Sequence, residues 1–168
     1  MKSTGEVMGI GATFGAAFAK AQIGAGTLLP TSGSAFLSVR DEDKAHVTSV
    51  ARRLADIGFT LVATKGTAAH LRAGGLTVVD IHKVGEGTPD IVQAIRAGEI
   101  ALVINTPKGF GPQLDSLSIR RRALEQRVPY FTTIAGAAAA AEGIAQLSSE
   151  VMNVSALQDY HAALKAAS

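Results

Sequence analysis

Five short apolar runs alternate along the chain with longer stretches in which apolar residues recur every three or four positions. Residues 35–39 (AFLSV) predict the first strand. The helix after it is expected to be capped by Asp41, to turn Val47, Val50, Leu54 and Ile57 to one side, and to stop at Gly58. Residues 60–63 (TLVA) predict the second strand, followed by the tight turn Thr64-Lys65-Gly66-Thr67 and a short helix ending at Gly74-Gly75. Residues 76–81 (LTVVDI) predict the third strand. A polar loop, residues 82–88, leads to Pro89, whose missing N–H suits the first turn of a helix that stops at Gly98. Residues 100–104 (IALVI) are the most uniformly apolar run and predict a fourth strand covered on both faces. After a Gly/Pro-rich loop at 106–112, a helix is expected from near Asp115, a fifth strand at 128–132, a helix at 134–147 and a last short helix at 155–167.

Such alternation requires right-handed crossovers, and so predicts an α/β fold with a doubly wound parallel sheet. Ligands of these sheets settle in the loops beyond the carboxyl ends of the strands. Ahead of the first strand, residues 13–22 are rich in Ala and Phe and predict a helix, and residues 24–33 a flexible connector.

Composition narrows the function. At 168 residues, with 47% hydrophobic and 18% charged positions, the chain fits one well-buried domain rather than a disordered segment. Cysteine is absent, which excludes disulfides and thiolate metal sites. A formal charge of +2, no Trp and two Tyr give no reason to expect nucleic acid, although a pI near 9.1 tolerates anionic ligands. Residues 134–147 are interrupted by Gly136 and Gly143 and fall short of the about 20 residues that cross a membrane. The start of the chain has no continuous apolar signal core. A cytoplasmic protein without membrane partners is expected.

Candidate chemistry gathers at the predicted strand ends. Thr64 and Thr67 flank Gly66 where a helix opens, so hydroxyls and unpaired backbone N–H groups can point together at an anion. Gly66 has no Cβ to hold a ligand away. Lys83 lies just beyond the third strand, Asn105 and Thr106 end the fourth, and Lys44 opens the first turn after strand one. Together they predict a ring of hydroxyl, amide and ammonium donors with almost no general base, which suits holding a phosphate better than abstracting a proton. A plainer reading stands beside it, in which Thr64 and Thr67 cap a helix and Lys83 is a solvated surface residue.

The opening MKSTGEVMGIGATFGAAFAKAQ, with STGEVMG as its most specific part, resembles the segment that enters the C-terminal regulatory domain of carbamoyl phosphate synthetase large subunits. The likeness continues through SVRDEDK, LVATKGTA, HKVGEGTPDI, INTPKG and SIRRRALEQRVPYFTT. It implies a fold shared with methylglyoxal synthase, a three-layer sandwich with strand order 3-2-1-4-5. It implies a junction over residues 1–33, the regulatory domain over 34–168, and an internal origin for Met1, so that residues 1–10 are expected to be poorly ordered or packed non-natively.

The resemblance also implies a role without catalysis or a cofactor of its own: binding a phosphorylated nucleotide, UMP or IMP, through Lys44, Thr64, Thr67, Lys83 and Asn105. A further family threonine falls on Pro107, which has no hydroxyl or N–H to give, and Thr106 or Lys108 stands near enough to substitute. Tyr130 and Thr132 are similar to ornithine-contacting residues, but the carboxylates completing that site belong to the preceding catalytic unit, so this chain is expected to bind ornithine poorly. Relatives that bind N-acetylglutamate carry a tryptophan where this chain has Lys83. The whole enzyme implied makes carbamoyl phosphate, for pyrimidine and arginine biosynthesis, from bicarbonate, glutamine-derived ammonia and ATP with Mg or Mn. Its partners would be the rest of the large subunit and a glutaminase small subunit, with possible oligomerisation through this domain.

Other features read as structural. His46, His70, His82 and His161 have no metal-ligand spacing, although His82 is a candidate for the pocket wall beside Lys83. Arg120, Arg121 and Arg122 spread about 100° apart on a helix and form no single stripe. Asp41, Glu42 and Asp43 suit a helix start, and Glu86 and Asp90 are a weak catalytic signal. The rival reading is a methylglyoxal synthase-type lyase acting on dihydroxyacetone phosphate. Its G-G-D-Q-Q signature carries an aspartate after the third strand, where this chain reads Gly85-Glu86-Gly87-Thr88-Pro89-Asp90. A third reading is an interaction domain that binds no nucleotide.

Overall fold

The computed structural model describes residues 6–107, 114–149, 152 and 154–166. Helix α1 (Phe14–Gly24) precedes strand β1 (Ser34–Ser38), a one-turn 3-10 helix (Asp41–Asp43) and α2 (Lys44–Ile57). There follow β2 (Thr60–Thr64), α3 (Lys65–Ala73), β3 (Val79–Ile81), α4 (Ile91–Arg96), β4 (Leu102–Asn105), α5 (Leu114–Glu125), β5 (Tyr130–Phe131), α6 (Ile134–Ser149) and α7 (Leu157–Ala166). The five strands form one sheet in the order β3-β2-β1-β4-β5, and every pairing is parallel.

Period-two alternation divides the core between the two faces of this sheet. Ala35 and Leu37 of β1, Leu61 and Ala63 of β2, and Leu102 and Ile104 of β4 pack with α2, α3 and α6. The residues between them, Phe36, Val62 and Val103, pack on the other face against Ile91 and Ile95 of α4 and Ile119 of α5. Strand β4 is thus buried on both faces, as its unbroken apolar run predicts. Helix α2 stops at Gly58, whose φ of 106° is the left-handed conformation that only glycine adopts without strain.

Four local expectations change. Asp41 does not cap α2: it starts the 3-10 turn, and the cap position falls to Asp43, whose side chain makes no cap bond and turns to Arg40 instead. Pro89 lies before α4 rather than in its first turn. The cap is Asp90, which accepts from Gln93 N at 2.9 Å while Gln93 Oε1 accepts from Asp90 N at 3.1 Å, a reciprocal box that satisfies two otherwise unpaired donors. Strand β3 is shorter than its apolar run, because ladder pairing begins at Val79 while Leu76 and Val78 are buried in the core off the ladder. Strand β5 shrinks to two residues, since Pro129 has no N–H for a ladder and offers only its carbonyl, to Val103 N at 2.9 Å.

Helix α1 lies across α6, and two glycines allow the approach. A Cβ on Gly15 would stand 2.8 Å from the Glu142 carbonyl oxygen, and one on Gly143 would stand 3.2 Å from the Phe18 ring. Residues 6–10 have no regular structure but press on α1, where a Cβ on Gly9 would run into the Ala17 carbonyl oxygen. Of residues 1–10, expected to be poorly ordered or packed non-natively, residues 1–5 lie outside the described residues. Among the described residues no helix is long and apolar enough to cross a membrane.

Candidate functional site

A cleft of about 640 Å³ opens at the carboxyl ends of the strands. Parallel pairing in register places Ser38, Thr64 and Asn105, the last residues of β1, β2 and β4, side by side at its floor. All seven residues expected at the anion site, Lys44, Thr64, Gly66, Thr67, Lys83, Asn105 and Thr106, line this one cleft. Thr64, Thr67, Asn105 and Thr106 are four of the five buried polar or charged residues among those described. The polar groups that the fold buries are thus concentrated here.

The free hydrogen-bonding capacity of these groups decides what the cleft can hold. Ser38 Oγ and Thr64 Oγ1 lie 3.2 Å apart, so one hydroxyl donates to the other and one hydrogen of the pair remains for a ligand. Thr67 Oγ1 accepts from Val39 N at 3.1 Å, which ties α3 to the end of β1 and leaves the hydroxyl hydrogen to give elsewhere. Lys44 Nζ stands in front of Gly66, 3.8 Å from where a Cβ would be, and 2.7 Å from Asp41 Oδ1. Lys83 is looser: its side chain is 55% exposed and its ammonium lies 4.0 Å from Glu86.

Two residues expected as donors are engaged within the protein. Asn105 Nδ2 donates to Tyr130 OH at 2.8 Å and to Ser116 Oγ at 3.3 Å, so its carbonyl oxygen is what remains for a ligand. Thr106 Oγ1 accepts from Arg40 N at 3.1 Å, and its hydroxyl hydrogen-bonds Asp43. Asp43 in turn accepts from Arg40 Nε at 2.8 Å, closing a ring that clips the loop after β1 to the loop after β4. Burial pushes the Asp43 carboxyl up. The Thr106 hydrogen bond, the hydrogen bond and charge of Arg40, and nearby His46 outweigh that and hold it below the usual carboxylate value.

Residues not singled out in the sequence complete the walls. Ser38 and Arg40 come from β1 and its loop, and Asp115 and Ser116 from the first turn of α5. Val84, Ile91 and Ile119 supply an apolar side. The rule that ligands gather at strand ends could have found Ser38, but nothing local in DSLSI marks Asp115 and Ser116. Pro107 lines the cleft as expected of its position, whereas Lys108 lies outside the described residues. His82 does not line the cleft, because its exposed ring packs on Gly87. Tyr130 and Thr132 stand outside it, Tyr130 with its hydroxyl on Asn105 and its ring 5.5 Å from the Arg120 guanidinium.

Neither acid of the loop after β3 enters the cleft. Asp90 is buried with Oδ1 on Gln93 N and Oδ2 on Gly85 N, and Glu86 faces solvent beside Lys83. Arg121 and Arg122 pair with Glu125 along α5. Among the described residues no three His, Asp or Glu side chains come together as a metal-binding group.

The model of the MGS-like domain family matches residues 46–132. A carbamoyl phosphate synthase large chain from Acidobacterium capsulatum is 51% identical over 96% of this chain and 15% of its own length. A C-terminal section of that large chain from Methanopyrus kandleri is 51% identical over 96% of this chain and 30% of its own length. The large chain from Pseudomonas syringae pv. tomato is 52% identical over 99% of this chain and 15% of its own length. The chain therefore spans between about a seventh and a third of the curated relatives it matches. Since the family model covers just over half of the residues, and the parallel 3-2-1-4-5 sheet is consistent with it, the chain belongs to the MGS-like domain family.

Proposed function

We propose that this chain is the effector-binding regulatory domain of a carbamoyl phosphate synthase large chain, and that its cleft binds a phosphorylated nucleotide such as UMP or IMP. The observation that carries the reading is the convergence of Thr64, Thr67, Lys44 and Lys83, from three separate loops, on one cleft. The phosphate sits between the two lysines and the turn that opens α3, where charge-assisted hydrogen bonds are the strong kind. The free acceptors, the Asn105 carbonyl and the Asp115 carboxylate, face the sugar hydroxyls, and Val84, Ile91 and Ile119 shelter the base. Lys83 at the rim, with no Trp in the chain, favours a nucleotide over N-acetylglutamate.

In this reading residues 1–33 lead in from a preceding catalytic unit and residues 34–168 form the regulatory domain. The longer protein makes carbamoyl phosphate in the cytoplasm with ATP and Mg or Mn, beside a glutaminase small subunit. Ornithine binds near Tyr130 and Thr132 only when that catalytic unit is present. Effector binding biases the catalytic unit through a coupling of about 1–3 kcal/mol that acts equally in both directions.

Calorimetric titration with UMP, IMP and N-acetylglutamate in parallel tests the assignment. Lys83→Ala should weaken UMP several-fold, and an unchanged affinity counts against it. Phosphate release from dihydroxyacetone phosphate would support the lyase reading instead; none is expected, because the loop after β3 sends no carboxylate into the cleft.

A further inference from the structure

We propose that Asp90 is a positioning residue for the cleft: its buried carboxylate fixes the short arm Lys83–Val84 at both ends, and so raises the affinity with which Lys83 holds an anion. The inference rests on the phosphorylated-ligand reading above and adds to it the device that presents Lys83. Among the described residues Asp90 is the only buried one that carries a charge. A charge taken out of water needs hydrogen bonds to stay there. The cap of α4 uses only one of its oxygens, Oδ1, which accepts from Gln93 N at 2.9 Å. Oδ2 reaches back across the loop and accepts from Gly85 N at 3.3 Å.

Both ends of the arm lead to this one residue. At one end His82 forms a parallel bridge with Asp90, and His82 O accepts from Ile91 N at 3.2 Å. At the other end stands Gly85, on Oδ2. Between them lie Lys83 and Val84, the two residues of the 82–90 loop that line the cleft. The two lysines of the cleft differ in this respect. Lys44 belongs to α2, whose own hydrogen bonds fix its backbone. Lys83 belongs to a loop, with its side chain 55% exposed and its ammonium 4.0 Å from Glu86. A lysine on a loose loop must be ordered when its ligand binds, and that cost lowers the affinity. Asp90 removes the cost in advance. Val84 also packs on the core cluster that contains Ile91, which limits the loosening expected without Asp90.

The test is a calorimetric titration of the full chain with UMP and with inorganic phosphate at pH 7 and about 0.15 M salt, where distant charges are largely screened. Asp90→Asn keeps one oxygen for the cap, which asparagine makes well, and turns an NH2 on the Gly85 N–H. It should weaken both ligands by about three- to tenfold. In the Lys83→Ala background the same change should alter phosphate affinity by less than about twofold, because an arm without its ammonium brings nothing to the ion. Any effect of the lost charge itself is common to both backgrounds. Asp90→Ser, whose single oxygen the cap takes, should behave like Asp90→Asn and replaces it if that variant does not fold. Gln93→Ala, which strips the amide oxygen from Asp90 N but leaves Gly85 alone, should lower Tm and keep phosphate affinity within about twofold. Unchanged or tighter binding by Asp90→Asn overturns the proposal, as does an equal loss without Lys83 or in Gln93→Ala. If the unaltered chain binds neither ligand, the phosphorylated-ligand reading falls first and this inference with it, an outcome visible before any variant is compared.

Discussion

Replacing Thr106 by valine separates a residue that holds the cleft from one that touches its ligand. The substitution keeps the shape and removes the hydroxyl that accepts from Arg40 N and hydrogen-bonds Asp43. A part-buried N–H left without its acceptor costs about 1–2 kcal/mol. For a chain of this size each 1 kcal/mol lowers Tm by about 2–4 °C, so a fall of about 2–8 °C is expected. Thermal melts, with urea unfolding to confirm an unchanged m-value, measure it.

The pH dependence adds a second check. Asp43 has a depressed pKa in the folded chain, so it contributes stability above its unfolded value and loses that contribution as pH falls. The Asp43 share of the Thr106→Val penalty should therefore be full at pH 7 and fade below about pH 4. Binding of UMP should change by less than about twofold if the clip reforms without the hydroxyl. Unchanged stability at pH 7 with a tenfold loss of UMP affinity would refute the reasoning and make Thr106 a ligand contact.

Two further substitutions test the geometry. Gly66→Ala should leave Tm unchanged or raise it slightly, because a Cβ there meets only Lys44 Nζ at 3.8 Å and alanine favours the first turn of α3, while UMP binding weakens as the methyl group enters the anion's place. Gly15→Ala should lower stability by about 1–3 kcal/mol in urea unfolding, since its Cβ would press to 2.8 Å on the Glu142 carbonyl and force α1 away from α6.

The order of strands and helices was legible in the chain because a parallel sheet buried on both faces writes itself as short apolar runs between helical periods. The ends of the elements were not, since they depend on partners: Pro129 cannot donate to a ladder, and Asp43 turned to Arg40 instead of capping α2. Thr64, Thr67, Lys44 and Lys83 could be named in advance because strand ends and helix starts are local features. Asp115 and Ser116 could not, because only the packing of α5 brings them to the cleft.

What each group has left to offer was invisible in the sequence. An asparagine reads as both donor and acceptor until Tyr130 and Ser116 take its amide hydrogens, and a threonine reads as a donor until Arg40 and Asp43 engage it. Residue types set the chemistry available at the ends of the strands. The contacts made across the folded chain decided how much of it remains free, because a hydrogen or lone pair used inside the protein is lost to a ligand.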